Sequence, residues 1–205
     1  MSDADDVLSA WSRITRWLEK HAPAGARALR PPATDADIAL LRDALGCPVP
    51  GELEAWLRRN NGSTALDTRT AVPGGDRFVP HRDSGLFPGG EVFLDCASIA
   101  ERYRRHLAIA ADIGDEDWWL PTWIPVLAEV DAHYGLLLDA GAATAEAAVS
   151  APVLVYRETD YARAYAPSLG AVLTAVADML EHGGGDSALT HGRRPSVQDG
   201  HLVWD

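Results

Sequence analysis

The chain predicts an α+β fold with a central antiparallel or mixed sheet flanked by helices. Three observations carry that expectation. Helical periodicity dominates the first 60 residues, β-type segments cluster between 91 and 159, and one more amphipathic helix follows them. With 205 residues, 47% of them hydrophobic and 23% charged, the chain is long enough to bury a substantial core.

Trp11, Ile14, Trp17 and Leu18 recur at helical spacing and mark an N-terminal helix that closes near His21-Ala22-Pro23. The segment RPPAT (30–34) is a proline-stiffened connector. Thr34 with Asp37 three residues on is a capping-box arrangement, and Ile38, Leu41 and Leu45 form the apolar face of the helix it starts. Gly46 is expected to end that helix in a left-handed conformation. In VPGELEAWLRRNNG (49–62), Pro50 suits the first helical position, and Leu53, Trp56 and Leu57 form a buried stripe with Asn60 on the same side. Glu52 and Glu54 in its first turn and Arg58 and Arg59 in its last complement the helix macrodipole, which accounts for the arginines without a phosphate ligand. Gly62 is placed to take a positive φ and stop the helix.

Residues 63–90 are rich in Gly, Pro, Asp and Thr and read as turns between short strands; EVFLD (91–95) reads as a strand. A helix is expected over 98–107, capped by Ser98, with Ile99, Tyr103 and Leu107 on one side. An acidic turn then runs into a proline-broken aromatic strand (112–130), followed by strands at HYGLLLDA (133–140) and APVLVYRET (151–159), separated by the small-residue turn GAATAEAA (141–148). Leu169, Leu173, Val176 and Leu180 line the closing helix, which Gly183 ends. GGGDSALTHGRRPS (183–196) reads as a linker, and the apolar cluster in GHLVWD (200–205) as a tail tied back onto the domain. The expected organisation is an N-terminal helical extension (1–30), a domain (31–182), and a linker and tail (183–205).

Composition narrows the function. No window approaches a membrane span and the acidic start is unlike a secretory signal, so a cytoplasmic protein without membrane association is expected. Cys47 and Cys96 are expected to be reduced, buried thiols. The net charge of −12 disfavours nucleic acid, whose binding relies on neutralising phosphates, and suits a basic protein partner. No zinc, phosphate-loop or nucleophile-elbow spacing is present. His81, Asp83 and Ser84 lie close in sequence, but a triad is defined by geometry across a fold, and a loop serine is the reading adopted. No catalytic, cofactor-binding or metal-binding residue is assigned. The densest carboxylate run is Asp112, Asp115, Glu116 and Asp117, beside Trp118, Trp119 and Trp123; its spacing is not that of an EF-hand. A solvated acidic turn is one reading of this run and a protein-binding patch another; for the patch Asp115, Glu116, Asp117, Trp118 and Asp160 are the candidate residues, since carboxylates beside aromatics suit a surface that holds basic side chains. The tryptophans also suit a sheet core, the reading adopted for Trp123.

Three segments together resemble the SUKH superfamily, which includes the yeast cell-wall-assembly regulator and many bacterial relatives. PPATDADIALLRDALGCPVPGELEAWLRRNNGS (31–63) is similar to the family signature, with Val49-Pro50 at its L-P step and Asn61-Gly62 at its N-G. WIPVLAEVDAHYGLLLDA (123–140) resembles its I-P-[IV] strand (Ile124, Pro125, Val126) and the next strand ending in Asp (Asp139). SLGAVLTAVADML (168–180) resembles its closing helix, with Ser168-Leu169 where S-F is commoner. The resemblance spans roughly residues 30–182. It implies an α+β fold, no catalytic residues and a protein partner. In bacteria it implies an immunity protein neutralising a polymorphic toxin, often a nuclease; in fungi, a regulatory scaffold in cell-wall signalling. It carries over no contact residue, and the oligomeric state stays open. An enzyme with a site dispersed among loops would show itself by a pocket holding a histidine or carboxylate backed by oriented polar groups.

Overall fold

The centre of the computed structural model is a five-stranded antiparallel sheet, and the helices are placed by what its two faces bury. The structure describes residues 3–64, 68–72, 75–79, 85–129, 133–142, 150–183, 189 and 192–205. In chain order these form α1 (Asp3–His21), α2 (Pro23–Ala28), α3 (Asp35–Ala44), α4 (Gly51–Leu57), β1 (Thr68–Val72), β2 (Gly75–Val79), β3 (Val92–Phe93), α5 (Cys96–Ile113), β4 (Trp123–Ala128), β5 (Tyr134–Asp139), β6 (Val153–Arg157), β7 (Asp160–Ala166), α6 (Leu169–His182), β8 (Pro195–Gln198) and β9 (His201–Trp204). The sheet order is β3-β4-β5-β6-β7; β1-β2 and β8-β9 are separate hairpins. This is the α+β architecture expected, with the sheet antiparallel.

Alternation along β5 divides the sheet into two faces. Leu136 and Leu138, with Ile124, Val126 and Val153, enter the main core beside Trp11, Trp56 and Leu173. Leu137 points the other way and joins Trp123 and Tyr156 in a second cluster with Ala110, Trp118 and Trp119. Pro125 does not break β4. The register shifts between Pro125 and Leu127, so a bulge absorbs the ladder bond that proline cannot donate.

In the main core, Trp56 of α4 stacks on Phe93 of β3 at 3.6 Å between ring centroids, and Trp11 of α1 meets Trp56 edge-on at 5.2 Å. Such pairs contribute about 0.5–1.5 kcal/mol each beyond their buried area. α1 also packs along α6, and Arg13 pairs with Asp178 and Glu181 there. The β8-β9 hairpin returns to the domain: Leu202 is buried in the main core, and Trp204 Nε1–H donates to the Gly85 carbonyl at 3.1 Å.

The residues after α4 form the junction of these parts. Trp11 Nε1–H donates to Asn60 Oδ1 at 2.9 Å, and Asn60 Nδ2–H to the Arg30 carbonyl at 2.8 Å. Asn61 Oδ1 accepts the Cys96 N–H at 2.9 Å, at the start of α5. Gly62 has φ +78°, and a Cβ there would lie 2.6 Å from the Asp95 nitrogen. Glycine is therefore required twice over, by conformation and by space.

Several elements differ from expectation. Gly46 is not left-handed: α3 ends through Leu45 in extended conformation, and Gly46 donates its N–H to Tyr103 Oη at 2.9 Å. A Cβ at Gly46 would sit 2.7 Å from that oxygen, so close approach, not helix termination, selects the glycine. α5 begins at Cys96 with Asp95 as its cap, because Asp95 accepts the Ser98 N–H at 2.7 Å; Ser98 is the third residue inside. Pro50 precedes the first helical residue by one position, and Arg58 caps α4 from outside while pairing with Asp35 and Glu54. Of the 91–95 strand, Val92 and Phe93 form the ladder with β4, and Leu94 adds one N–H bond to the Val126 carbonyl at 3.1 Å. β7 has no counterpart in the sequence reading. Cys96 is buried, as expected, and Cys47 only half-buried; both are free, and burial pushes both thiols up. The capping box of Thr34 and Asp37 is present as read. His81, Asp83, Ser84 and most of 141–148 lie outside the described residues. No helix among the described residues is long and apolar enough to cross a membrane.

One carboxylate is out of place for stability. Glu52 is 4% exposed, and neither oxygen has a hydrogen-bond partner among the described residues. Burial, helped by the charge of Asp3, pushes its carboxyl up to about 7. Because the folded value is raised, this group supports the fold fully below its unfolded value, near 4.5, and that support is lost as pH rises through about 7.

Two outcomes follow from this packing. Gly62→Ala lowers unfolding stability by about 2–4 kcal/mol in urea titrations, while Gly51→Ala, where a Cβ meets nothing within 4 Å, changes it by under ~1 kcal/mol. Glu52→Gln raises Tm clearly at pH 8.5 and little at pH 5, a gap on the order of 2–3 kcal/mol. Equal effects at both pH values would show that Glu52 is not held protonated.

Candidate protein-binding surface

α5 ends at Gly114, whose φ of +69° turns the chain out of the helix. Asp115, Glu116 and Asp117 follow at once. The turn is held by its own bonds: Asp115 N–H donates to the Ala110 carbonyl at 3.1 Å, and Asp117 N–H to Asp115 Oδ1 at 3.2 Å. Its second fixing comes from far along the chain. Tyr161 Oη–H of β7 donates to Asp115 Oδ2 at 2.7 Å, and the Tyr161 N–H bonds Asp160 Oδ1 at 3.0 Å. The fold thus brings Asp115–Asp117 and Asp160 together through one tyrosine. Asp160 is also paired with Arg163, so its charge is largely balanced, whereas Glu116 and Asp117 are exposed.

Trp118 is only 9% exposed and Trp119 2%. Their rings belong to the second core, so Trp118 supports the turn and does not present its indole to a partner. The base of this platform is His106 of α5, 2% exposed. Its ring stacks on Trp119 at 4.1 Å and meets Tyr156 edge-on at 5.2 Å. His106 Nδ1 lies 2.8 Å from the Arg102 carbonyl, which can only accept, so Nδ1 carries the hydrogen. Burial holds the imidazole below its ordinary value; the bond to Arg102 opposes that shift, and the charges of Arg102 and Arg105 add to it. Trp119 Nε1, Trp123 Nε1 and Tyr156 Oη are buried without partners among the described residues, so ring packing, not hydrogen bonding, holds the platform.

The acidic turn itself works against local stability. No basic residue lies in the last turn of α5, yet carboxylates crowd its end, where the macrodipole is negative. A feature that violates a local rule in this way belongs to function more often than to folding.

Other groupings are less suited to a site. Asp178, Glu181 and His182 offer ligand atoms within 4.8 Å of one another, but all three are exposed, and Arg13 holds both carboxylates. A surface hollow of about 360 Å³ is lined by His133, Tyr134, Arg157, Glu158 and Thr159. Its His133–Glu158 contact of 2.8 Å has side chains 63% and 31% exposed, where water screens the interaction.

The profile of the SMI1 / KNR4 family (SUKH-1) matches residues 32–175. The chain belongs to this family. The match takes in the Asn60–Gly62 junction, the whole five-stranded sheet and the acidic turn, and it leaves out α1 and the β8-β9 hairpin of this SUKH protein. No curated protein matches the chain.

The buried histidine gives the platform a measurable pH response. Its folded value is depressed, so its contribution is fully present above the unfolded value, near 6.5, and is lost as pH falls from there toward the folded value. The unfolding stability of the native chain, read in urea titrations, falls over that interval, and His106→Phe flattens the response. A response unchanged in His106→Phe would remove His106 as its source.

Proposed function

We propose that this SUKH protein is a non-enzymatic binding domain that neutralises a toxin, such as a nuclease, by occluding its basic active-site surface. The observation that carries the reading is the acidic turn 115–117, placed at a helix C-terminus and pinned to β7 by the Tyr161–Asp115 bond. Carboxylates there are costly to the fold, and they are held in one geometry, as a docking surface requires. The net charge of −12 supports the same partner chemistry, since an acidic protein is steered toward the basic groove a nuclease presents. The reading involves no cofactor, metal, nucleic acid or membrane. Its setting is the cytoplasm.

A pull-down from the native host, identified by mass spectrometry, is expected to recover a basic toxin domain encoded beside this chain. Recovery of cell-wall or signalling proteins alone would replace neutralisation with the regulatory-scaffold role. With the captured partner, the double variant Asp115→Asn, Asp117→Asn is expected to slow association roughly 3–10-fold at low salt and to flatten its salt dependence, with dissociation little changed. Unaltered association kinetics would place the interface elsewhere.

A further inference from the structure

The two edges of the five-stranded sheet are treated differently. Beyond β3, the Ser63 N–H donates to the Phe93 carbonyl at 2.9 Å, and Ser63 is in turn bridged to Leu29, so that edge is closed by the chain itself. β7 is the other edge, and among the described residues no strand pairs with its outer side. The β8-β9 hairpin lies against α1 and α2 instead. Near the end of β7 Tyr165 Oη–H donates to the Leu189 carbonyl, while Tyr161, Arg163 and Ala164 are exposed. Natural sheets usually blunt such an edge with proline, charged side chains, β-bulges or a cover. β7 has no proline or lysine and its single arginine is already paired with Asp160; the register shifts against β6 are the blunting it does have.

We infer that β7 is the docking edge for an extended segment of the basic partner, which adds to the sheet as a sixth strand. This rests on the reading of the protein as a binder of a basic protein and specifies how that partner engages. Main-chain bonds along Tyr161–Ala164 supply the affinity, and lysine or arginine side chains beside Tyr161 reach Asp115 and Asp117. The Tyr161–Asp115 bond is what sets the acidic turn alongside the edge, so charge and backbone are read by one segment. A second copy of this chain is a poor occupant, because it brings the same net charge of −12 to the contact.

The probe is a nine-residue capped peptide in which Lys alternates with Val and Thr, tested on the full chain by hydrogen exchange. Binding is expected to slow amide exchange within 161–165 at least tenfold. Two further peptides are N-methylated on alternate residues, one on the odd positions and one on the even. Strand addition predicts that one parity loses binding more than tenfold and the other keeps it. Equal binding of both parities, slowed exchange elsewhere only, or no binding by the parent peptide overturns the inference. So does a dimer of the chain alone with residues 161–165 already slowed. With the intact captured toxin, tight binding that leaves 161–165 unchanged defeats strand addition and leaves occlusion standing. If no basic protein is captured, the occlusion reading fails, and the peptide result still decides the edge.

Discussion

The close approach of Gly62 to Asp95 is the constraint on which the rest of the structure depends. Only a residue without a Cβ lets the chain pass there, and with it in place Asn60 and Asn61 reach opposite parts of the molecule. Asn60 ties α1 to the connector before α3, while Asn61 fixes the first turn of α5. The aromatic stack of Trp11, Trp56 and Phe93 closes over that junction. α5 starts from it and ends at the acidic turn that Tyr161 ties to β7. The surface assigned to binding is thus a remote result of a backbone contact near residue 62.

Legibility in the sequence followed locality. The capping box at Thr34 and Asp37, the stripe of α1 and the closing helix are written in neighbouring residues, and the structure has them where periodicity puts them. Gly46 misled because glycine after an apolar stripe usually signals a helix end, whereas here it makes room for Tyr103, 57 residues away. Asp95 is hard to read as a cap because it closes a strand-like run and Ser98 offers the same chemistry three residues later. β7 is hard to see for a different reason: it alternates Tyr and Arg with Ala and lacks the apolar run that marks a buried strand.

The candidate surface divides the same way. Carboxylates 115–117 were visible as a cluster, but their pairing to β7 was not, since Tyr161 lies 46 residues from Asp115. For Trp118 spacing allows both an interface aromatic and a core residue, and does not decide between them. Its burial depends on His106 and Tyr156 coming from two other elements. Nothing in sequence spacing shows that a histidine lies beneath two indoles and a phenol.

The packing of α1 on α6 has a consequence for synthesis. α1 packs along a helix made more than 150 residues later, and Arg13 finds its carboxylates there. At roughly 5–20 residues per second, the apolar face of α1 waits on the order of 10–30 s for its partner. Contacts so distant along the chain also make the final docking slow. Throughout that interval the nascent protein displays a tryptophan-bearing amphipathic helix, the kind of segment that chaperones hold.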